Sequence, residues 1–518
     1  MGRRFKGLKD QPRDSYDAIV IGAGIGGLIC ANLLAREGLR VLLVEQHYMV
    51  GGYCSTFRRK GFTFDAATHF YPLLGNPATI TGGLLRELGV ETEWVKMDPV
   101  DHFHFPDRSS FRVPADFESY LAKLKTDFPS EANNLDRFFA LARQLYLLGL
   151  LFYFRGQDTD RLDPYRHLTV RQVLDDYFQN EKLKLLLVGD CGHWGAPPSR
   201  TSFVFDSMLR LSYFVGNYYP RGGSQAFTDE LARRFEQSGG HILMRTLARR
   251  IIVNDGKVRG VEIEFGKPDA RRLAQVRAEV VVSNGDLLFT LEHLIGSKHI
   301  RSDQLAATRK LRPTAPCFLT YLGLRDVSTE ALREIEGYHW DSWDSENVAM
   351  NAFKIFVPTL FDRSIAPPDG HIIIVQKLTD VDYDSVSDWR AHKTLVENYI
   401  MTKLAQVLPG IAEKIVFKAS ASALTSHRYT LNHHGAMLGW EMSPDQLGAL
   451  RPDIAGDIKN LYFVGHWTQP GGGVTPVIVS AMRAARLITQ SGVCRESDES
   501  AAVFRQQTPG SAGLKTAI

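Results

Sequence analysis

Tyr16-Asp-Ala-Ile-Val-Ile21-Gly22-Ala-Gly24-Ile-Gly26-Gly27 reads as a buried strand running directly into a glycine-rich turn. A helical pattern follows from Ile25 to Glu37, with Leu28, Ala31, Leu34 and Ala35 on its apolar face, and Gly38 ends it. Arg40-Val-Leu-Leu-Val-Glu45 is then a second strand, which completes a βαβ unit. Each glycine has a physical task. Gly22 permits the tight turn, Gly24 lets a pyrophosphate approach the backbone, and Gly27 lets the helix pack close to the sheet. The helix N-terminus offers free N–H groups and a partial positive charge to phosphates. Glu45, about 20 residues on, is placed to accept hydrogen bonds from a ribose. The unit is a dinucleotide site, and the glycines alone do not separate FAD from NAD.

Outward from this unit the pattern changes twice. From about Asp116 to Phe214 the chain reads as mainly helical, with candidate helices at Phe117–Phe128, Leu135–Phe154, Val170–Phe178 and Glu181–Leu187. Tyr146 to Phe154 is apolar around the whole circumference, as a helix is when it is buried, lines a tunnel or meets lipid. From Arg221 the α/β pattern returns. Gly222-Gly-Ser opens a helix; strands are expected at His241–Leu247 and Arg250–Asn254. An Asp255-Gly256 hairpin then leads to Lys257–Phe265, and Val276–Asn284 follows. Strands at Pro316–Leu324, Ala349–Val357, His371–Leu378 and Ile415–Ser422 predict an antiparallel second sheet, interrupted by a helix at Trp389–Val407. Leu461–Gly465 and Val474–Ile488 close the chain as strand and helix. The tail beyond Gly492 has a disordered composition.

At 518 residues the chain is too long for one ordinary domain. A formal net charge of +3, with no basic stripe, points away from nucleic acid. Five scattered cysteines without a C-x-x-C pair argue against a disulfide framework or a zinc site, and no metal is expected. No apolar stretch is long enough to span a membrane, and no signal-peptide core follows the basic start at Arg3, Arg4, Lys6, Lys9 and Arg13. That basic arm reads as a solvated tail or as a contact for an anionic membrane.

Two further stretches narrow the cofactor. Glu45-Gln46 leads to Gly51-Gly52. Near the end comes Gly465-His466-Trp-Thr468-Gln-Pro470-Gly471-Gly-Gly473-Val474. With the βαβ unit, these resemble the FAD-dependent carotenoid and retinoid oxidoreductases: phytoene desaturases, carotenoid isomerases, carotenoid ketolases and retinol saturases. Amine oxidases and protoporphyrinogen oxidases are more distantly similar. The resemblance runs from about Tyr16 to Ile488. It implies an α/β fold with a Rossmann-type FAD-binding domain and an α+β substrate domain carrying a helical cap. The FAD domain is expected to be discontinuous (1–75, 221–310 and 455–492), with residues 76–220 and 311–454 forming the substrate domain and 493–518 a disordered tail. The implied FAD-contacting set is Gly22, Ala23, Gly24, Gly26, Gly27, Glu45, Gln46, Gly51, Gly52, Leu247, Asn284, Gly465, His466, Gly473 and Val474. One position departs from the pattern. Most of these families place an Asp where this chain has His466, so a ribityl hydroxyl is met by an imidazole rather than a carboxylate.

The implied chemistry is redox or isomerase chemistry on C=C and C–C bonds of a hydrophobic polyene. The flavin carries the difficult step, while the protein supplies an apolar tunnel. Candidate catalytic residues are His69, Tyr219 and Arg221; His433, His434 and Glu441 are expected on the substrate side. No second G-x-G-x-x-G is apparent, so electrons are expected to pass to or from a diffusing partner. An insoluble substrate implies peripheral contact with a membrane, on the cytoplasmic side, through Leu145–Phe154 between Arg143 and Arg155. Two rivals remain: a flavin amine oxidase, and a non-enzymatic prenyl-lipid-binding protein on the same fold.

Overall fold

The computed structural model describes residues 11–154, 160–189, 191–267 and 270–492. The basic residues Arg3 to Lys9, Arg155 and the tail after 492 lie outside them. Among the described residues are two seven-stranded sheets.

The first sheet is built on the βαβ unit. Ser15–Ile21 pairs in parallel with Val41–Glu45 on one side and with Ala270–Ser283 on the other. His241–Met244 extends the sheet beyond Val41–Glu45, and Leu461–Phe463 lies parallel to the end of Ala270–Ser283. Leu247–Asn254 and Lys257–Lys267 add an antiparallel ribbon. Side chains alternate between two buried faces. Ala18, Val20, Val41 and Leu43 pack toward the helices Ile25–Arg36 and Val474–Gln490, whereas Ile19, Ile21, Leu42 and Val44 pack on the opposite side. A sheet covered on both faces needs nearly unbroken apolar strands, as these are.

The second sheet runs Ile415–Ala421, Cys317–Arg325, Gly370–Leu378, Ala352–Phe356, Gly337–Trp340, Asp101–His104, Ser110–Val113. It is antiparallel except that Gly337–Trp340 lies parallel to Asp101–His104. Sequence patterning missed three short strands of this sheet, Asp101–His104, Ser110–Val113 and Gly337–Trp340, and with them its mixed character. The strand predicted at Ala349–Val357 starts later, because Val348–Asn351 forms a helical turn. Phe353 and Ile355 face Val396 and Ile400 of the helix Trp389–Val407, while Phe356 faces the other way, against Phe62 and Tyr219.

The cap packs on the sheet through an aromatic core that includes Phe138, Phe139, Phe178, Phe203 and Trp340. Its long helix, Ala132–Gly149, gives way to a wider π-helical turn at Leu150. The run expected to be apolar all round divides its faces. Leu145 and Leu148 are buried in the cap core, Tyr146 and Leu150 line a cavity, and Leu147 and Leu151 are 56% and 37% exposed. No helix among the described residues is long and apolar enough to cross a membrane.

Candidate cofactor and substrate site

A single cavity of about 670 Å³ runs from the glycine turn of the first sheet, past the second sheet, to the underside of the cap. At its nucleotide end the expected turn is present. Gly22 holds a φ of +93°, and the helix beginning at Ile25 has neither a capping side chain nor an acid in its first turn. Its N-terminal N–H groups and dipole are left for a ligand. A Cβ on Gly27 would lie 2.0 Å from the carbonyl oxygen of Gly22, so the helix reaches the turn only because this residue is glycine. A Cβ on Gly24 would lie 2.8 Å from Asn284 Nδ2, and one on Gly26 2.4 Å from Asn284 Oδ1. Asn284 thus sits directly on the turn.

Glu45 lines the same end of the cavity. Its Oε2 accepts the N–H of Ala23 at 2.8 Å and its Oε1 accepts that of His47, also at 2.8 Å. Burial pushes its carboxyl group up, opposed by these N–H donors. The two bonds fix the carboxylate in position and leave lone pairs on both oxygens. Ala23 therefore needs correction. It is wholly buried and its N–H is committed to Glu45, so it orients the acid rather than facing the cavity. Gly27 acts through packing and likewise does not line the cavity.

Gln46, Gly51, Gly52, Leu247, Asn284, Gly465, His466, Gly473 and Val474 all line it. The helix Val474–Gln490 also starts without a capping side chain or an early acid, so a second free helix N-terminus opens on the same space. The loop carrying His466 is held by Arg451, which sequence reasoning overlooked. This buried guanidinium donates to the carbonyls of His466 at 2.8 Å and Trp440 at 3.1 Å. The ring Nε2 of His466 lies 3.3 Å from Asn432 Oδ1, and burial pushes the imidazole down to about 3, so it is neutral.

The three candidate catalytic residues part company. His69 lines the cavity and is stacked on Phe356 at 4.4 Å between ring centres. Tyr219 does not reach the cavity. Its hydroxyl donates to Asp65 at 2.6 Å, and the other oxygen of Asp65 accepts the N–H of Ser224 at 2.7 Å. This buried chain anchors the start of the helix Ser224–Gln237. Arg221 is about half exposed and paired with Glu93 at 2.7 Å, away from the cavity. Neither is placed to touch a ligand. His433, His434 and Glu441 also miss the cavity. His434 pairs with Asp384, and the buried Glu441 binds Arg200 of the cap and Arg312, which precedes the strand Cys317–Arg325.

The far end holds groups that the sequence reading did not single out. Lys354, itself buried, donates to Asp101 at 2.6 Å, and its ammonium lies 3.9 Å from the centre of the Phe70 ring. The hydroxyl of Tyr213 lies 3.0 Å from His193 Nδ1, and burial pushes His193 down to about 3. The one available signal was Lys354 itself, a charge in the otherwise apolar strand Ala352–Phe356. Among the described residues no cluster of three or more His, Cys, Asp or Glu side chains is arranged to hold a metal ion.

A parallel sheet, a glycine turn that excludes side chains, a fixed buried acid and two uncapped helix ends on one cavity define a dinucleotide-binding protein of the Rossmann class. The family described as flavin containing amine oxidoreductase matches residues 25–489. The chain belongs to that family, and its cofactor is FAD. It is 26% identical over 511 residues to prolycopene isomerase 1, chloroplastic, of an Oncidium hybrid cultivar, covering 93% of this chain and 85% of that protein. It is also 26% identical over 499 residues to the zeta-carotene-forming phytoene desaturase of Myxococcus xanthus, covering 91% and 93%. Among solved structures, putrescine oxidase shares the fold with a TM-score of 0.64 at 14% identity, over 92% of this chain and 100% of that one.

The fit to FAD is physical. The glycine turn and the N-terminus of Ile25–Arg36 suit the pyrophosphate, Glu45 the adenosine ribose, His466 the ribityl chain and the N-terminus of Val474–Gln490 the electron-rich edge of the ring.

Proposed function

We propose that this FAD-dependent oxidoreductase acts on C=C or C–C bonds of a long polyene lipid, by desaturation, saturation or cis–trans isomerisation. One observation carries the reading. Beyond the nucleotide end the cavity is walled by apolar and aromatic side chains, among them Phe70, Trp194, Phe205, Met208, Tyr213 and Tyr338. The related isomerase and desaturase, named for carotenoid substrates, support the same reading.

Bound FAD supplies hydride or electron exchange. The chain's residues hold an extended apolar substrate and keep water away from it. Aromatic walls suit this task because flat rings contact a flat conjugated chain over large area. Electrons pass to or from a diffusing carrier, and substrate enters from a membrane through peripheral contact. The exposed Leu147 and Leu151, one turn apart beside the cavity-lining Tyr146 and Leu150, support that entry route.

An amine substrate fits poorly. The acids lining the cavity among the described residues are Glu45 and Asp286, both at the nucleotide end, while the cap end carries the fixed cation Lys354. Lys354 is already neutralised by Asp101, so what a substrate ammonium lacks there is a carboxylate of its own on the cavity wall.

The test is expression in a bacterial host that accumulates carotenoid precursors, with pigments separated by chromatography. A new polyene in cells carrying the intact chain, absent with Gly24→Val, supports the proposal. An unchanged profile across saturated, partly desaturated and cis-polyene precursors contradicts it.

A further inference from the structure

Trp467 fixes the orientation of a neighbouring amide. Its indole Nε1–H can only donate, and it lies 3.1 Å from the side-chain oxygen of Asn432. The amide must turn Oδ1 to it, because an NH2 there would set donor against donor. The opposite end of the amide agrees. Tyr53 spends its hydroxyl proton on the carbonyl of Ala436 at 3.0 Å, which leaves its oxygen to accept from the Asn432 side chain. The same Oδ1 lies 3.3 Å from Nε2 of His466. That ring is neutral, so one nitrogen carries a proton and the other a lone pair. A bare Nε2 would face the lone pairs of Oδ1. The proton is therefore on Nε2, and Nδ1 is the acceptor. The trio is held in place. Asn432 is 6% exposed and Trp467 3%, Trp467 packs against Trp440 with ring centres 4.6 Å apart, and the N–H of His433 ties the loop to the buried Asp286 at 2.7 Å.

His466 lines the cavity together with Gly465, Gly472 and Gly473. A neutral acceptor there suits a group with a hydrogen to give and turns away one that has only lone pairs. A sugar hydroxyl is of the first kind, and an ionised diphosphate is of the second. We propose that Asn432 and Trp467 are positioning residues that hold His466 as an acceptor through Nδ1, so that it takes a hydrogen bond from a ribityl hydroxyl of FAD and keeps the diphosphate at the glycine turn. This rests on the placement of the ribityl chain at His466 and adds which atom meets it.

The full chain, stripped of flavin, is titrated with FAD, and binding is read by quenching of flavin fluorescence. The side-chain amide of asparagine ends where Nδ1 lies, one bond short of Nε2, whereas that of glutamine reaches as far as Nε2. His466→Ala weakens binding about fivefold, the worth of one hydrogen bond. His466→Asn recovers most of that loss, and His466→Gln recovers little. Asn432→Leu and Trp467→Phe weaken binding by up to the same factor when His466 is present, and neither does so on top of His466→Asn. Heteronuclear NMR of the histidine rings, with the His466 signals assigned by their loss in His466→Asn, finds the proton on Nε2 both with and without FAD. A proton on Nδ1 overturns the proposal, whatever the stability of the variants. Equal affinities of His466→Asn and His466→Gln overturn it too, with the ribityl contact left standing. Unchanged affinity in His466→Ala removes the contact and the proposal together.

Discussion

The ammonium of Lys354 lies 2.6 Å from Asp101 Oδ2, with both side chains almost fully buried beside the cavity. Removing one partner leaves an uncompensated charge in a low-dielectric interior. Lys354→Met should therefore destabilise the fold by about 3–5 kcal/mol, and Lys354→Met with Asp101→Asn should recover most of that loss. Denaturant unfolding of the single and double variants measures both. Equal stability of Lys354→Met and the native protein would show that the pair is solvated.

Flavin retention depends on backbone closeness. Gly24→Val puts a branched carbon where Asn284 Nδ2 already lies 2.8 Å away, and Gly27→Ala puts a carbon 2.0 Å from the Gly22 carbonyl. Both variants should purify without visible flavin absorbance. Gly256→Ala, where a Cβ meets nothing within 4 Å, should stay yellow despite its turn strain. A yellow Gly27→Ala protein would show that the turn is not the cofactor's cradle.

His466 lines the cavity on the loop that follows the strand Leu461–Phe463. His466→Ala should weaken FAD binding by about 1 kcal/mol, one hydrogen bond's worth, and His466→Asp should match or exceed the native affinity. Arg451→Met should weaken it more, because several carbonyls of the surrounding loops lose their donor. Titration of the apoprotein with FAD separates these cases. Identical affinity in all four proteins would place the cofactor away from this loop.

Stability should peak near pH 6.5. Burial pushes His102, His193, His339 and His466 down to about 3 from 6.5. The unfolded chain binds more protons in that window, so this contribution is complete above pH 6.5 and is lost as pH falls toward 3. Glu336 acts oppositely. Burial pushes it up to about 8 from 4.5, so its contribution is complete below pH 4.5 and is lost as pH rises toward 8. Between pH 4.5 and 6.5 these four imidazoles, with His371 and His433 pushed down to about 4, outweigh Glu336 and Asp286, the latter pushed up to about 6, and among these groups only Glu336 acts between pH 6.5 and 8. Melting temperatures should fall steeply on the acid side and gently on the basic side, and Glu336→Gln should flatten the basic side. A protein equally stable at pH 4.5 and 6.5 would contradict the burial of these imidazoles.

The cap helix gives a membrane test different from the one its composition suggests. Leu150 lines the cavity, so the lipid-facing candidates are Leu147 and Leu151. Replacing both with Ser should reduce co-sedimentation with liposomes and leave the melting temperature nearly unchanged. A large drop in melting temperature with unaltered liposome binding would mean that this surface serves the fold alone.

Local signals carried the nucleotide half of the molecule. Strand, glycine turn, helix and acid follow one another within residues 15–45, and the helix Trp389–Val407 matches its apolar spacing. What escaped depended on contacts distant in sequence. Tyr219 and Arg221 adjoin Gly222-Gly223, but chain proximity does not reveal that Asp65 and Glu93 take their polar groups away from the cavity. Asp101–His104 pairs with the nearby Ser110–Val113 and with Gly337–Trp340 more than 200 residues away, and four residues carry too little periodicity to announce either pairing. Lys354 was legible only as an anomaly. Its meaning required Asp101 and Phe70 to be seen together.

We propose that bound FAD and the apolar cavity together transform a polyene. The most direct measurement incubates purified flavin-loaded protein with polyenes in liposomes, with the flavin oxidised and, separately, reduced under anaerobic conditions. Products are resolved by chromatography, with Gly24→Val as the flavin-free control. The expected result is a new desaturated, saturated or isomerised polyene that requires the flavin. Unaltered polyenes in both redox states, together with rapid flavin reduction by a simple amine, would contradict it.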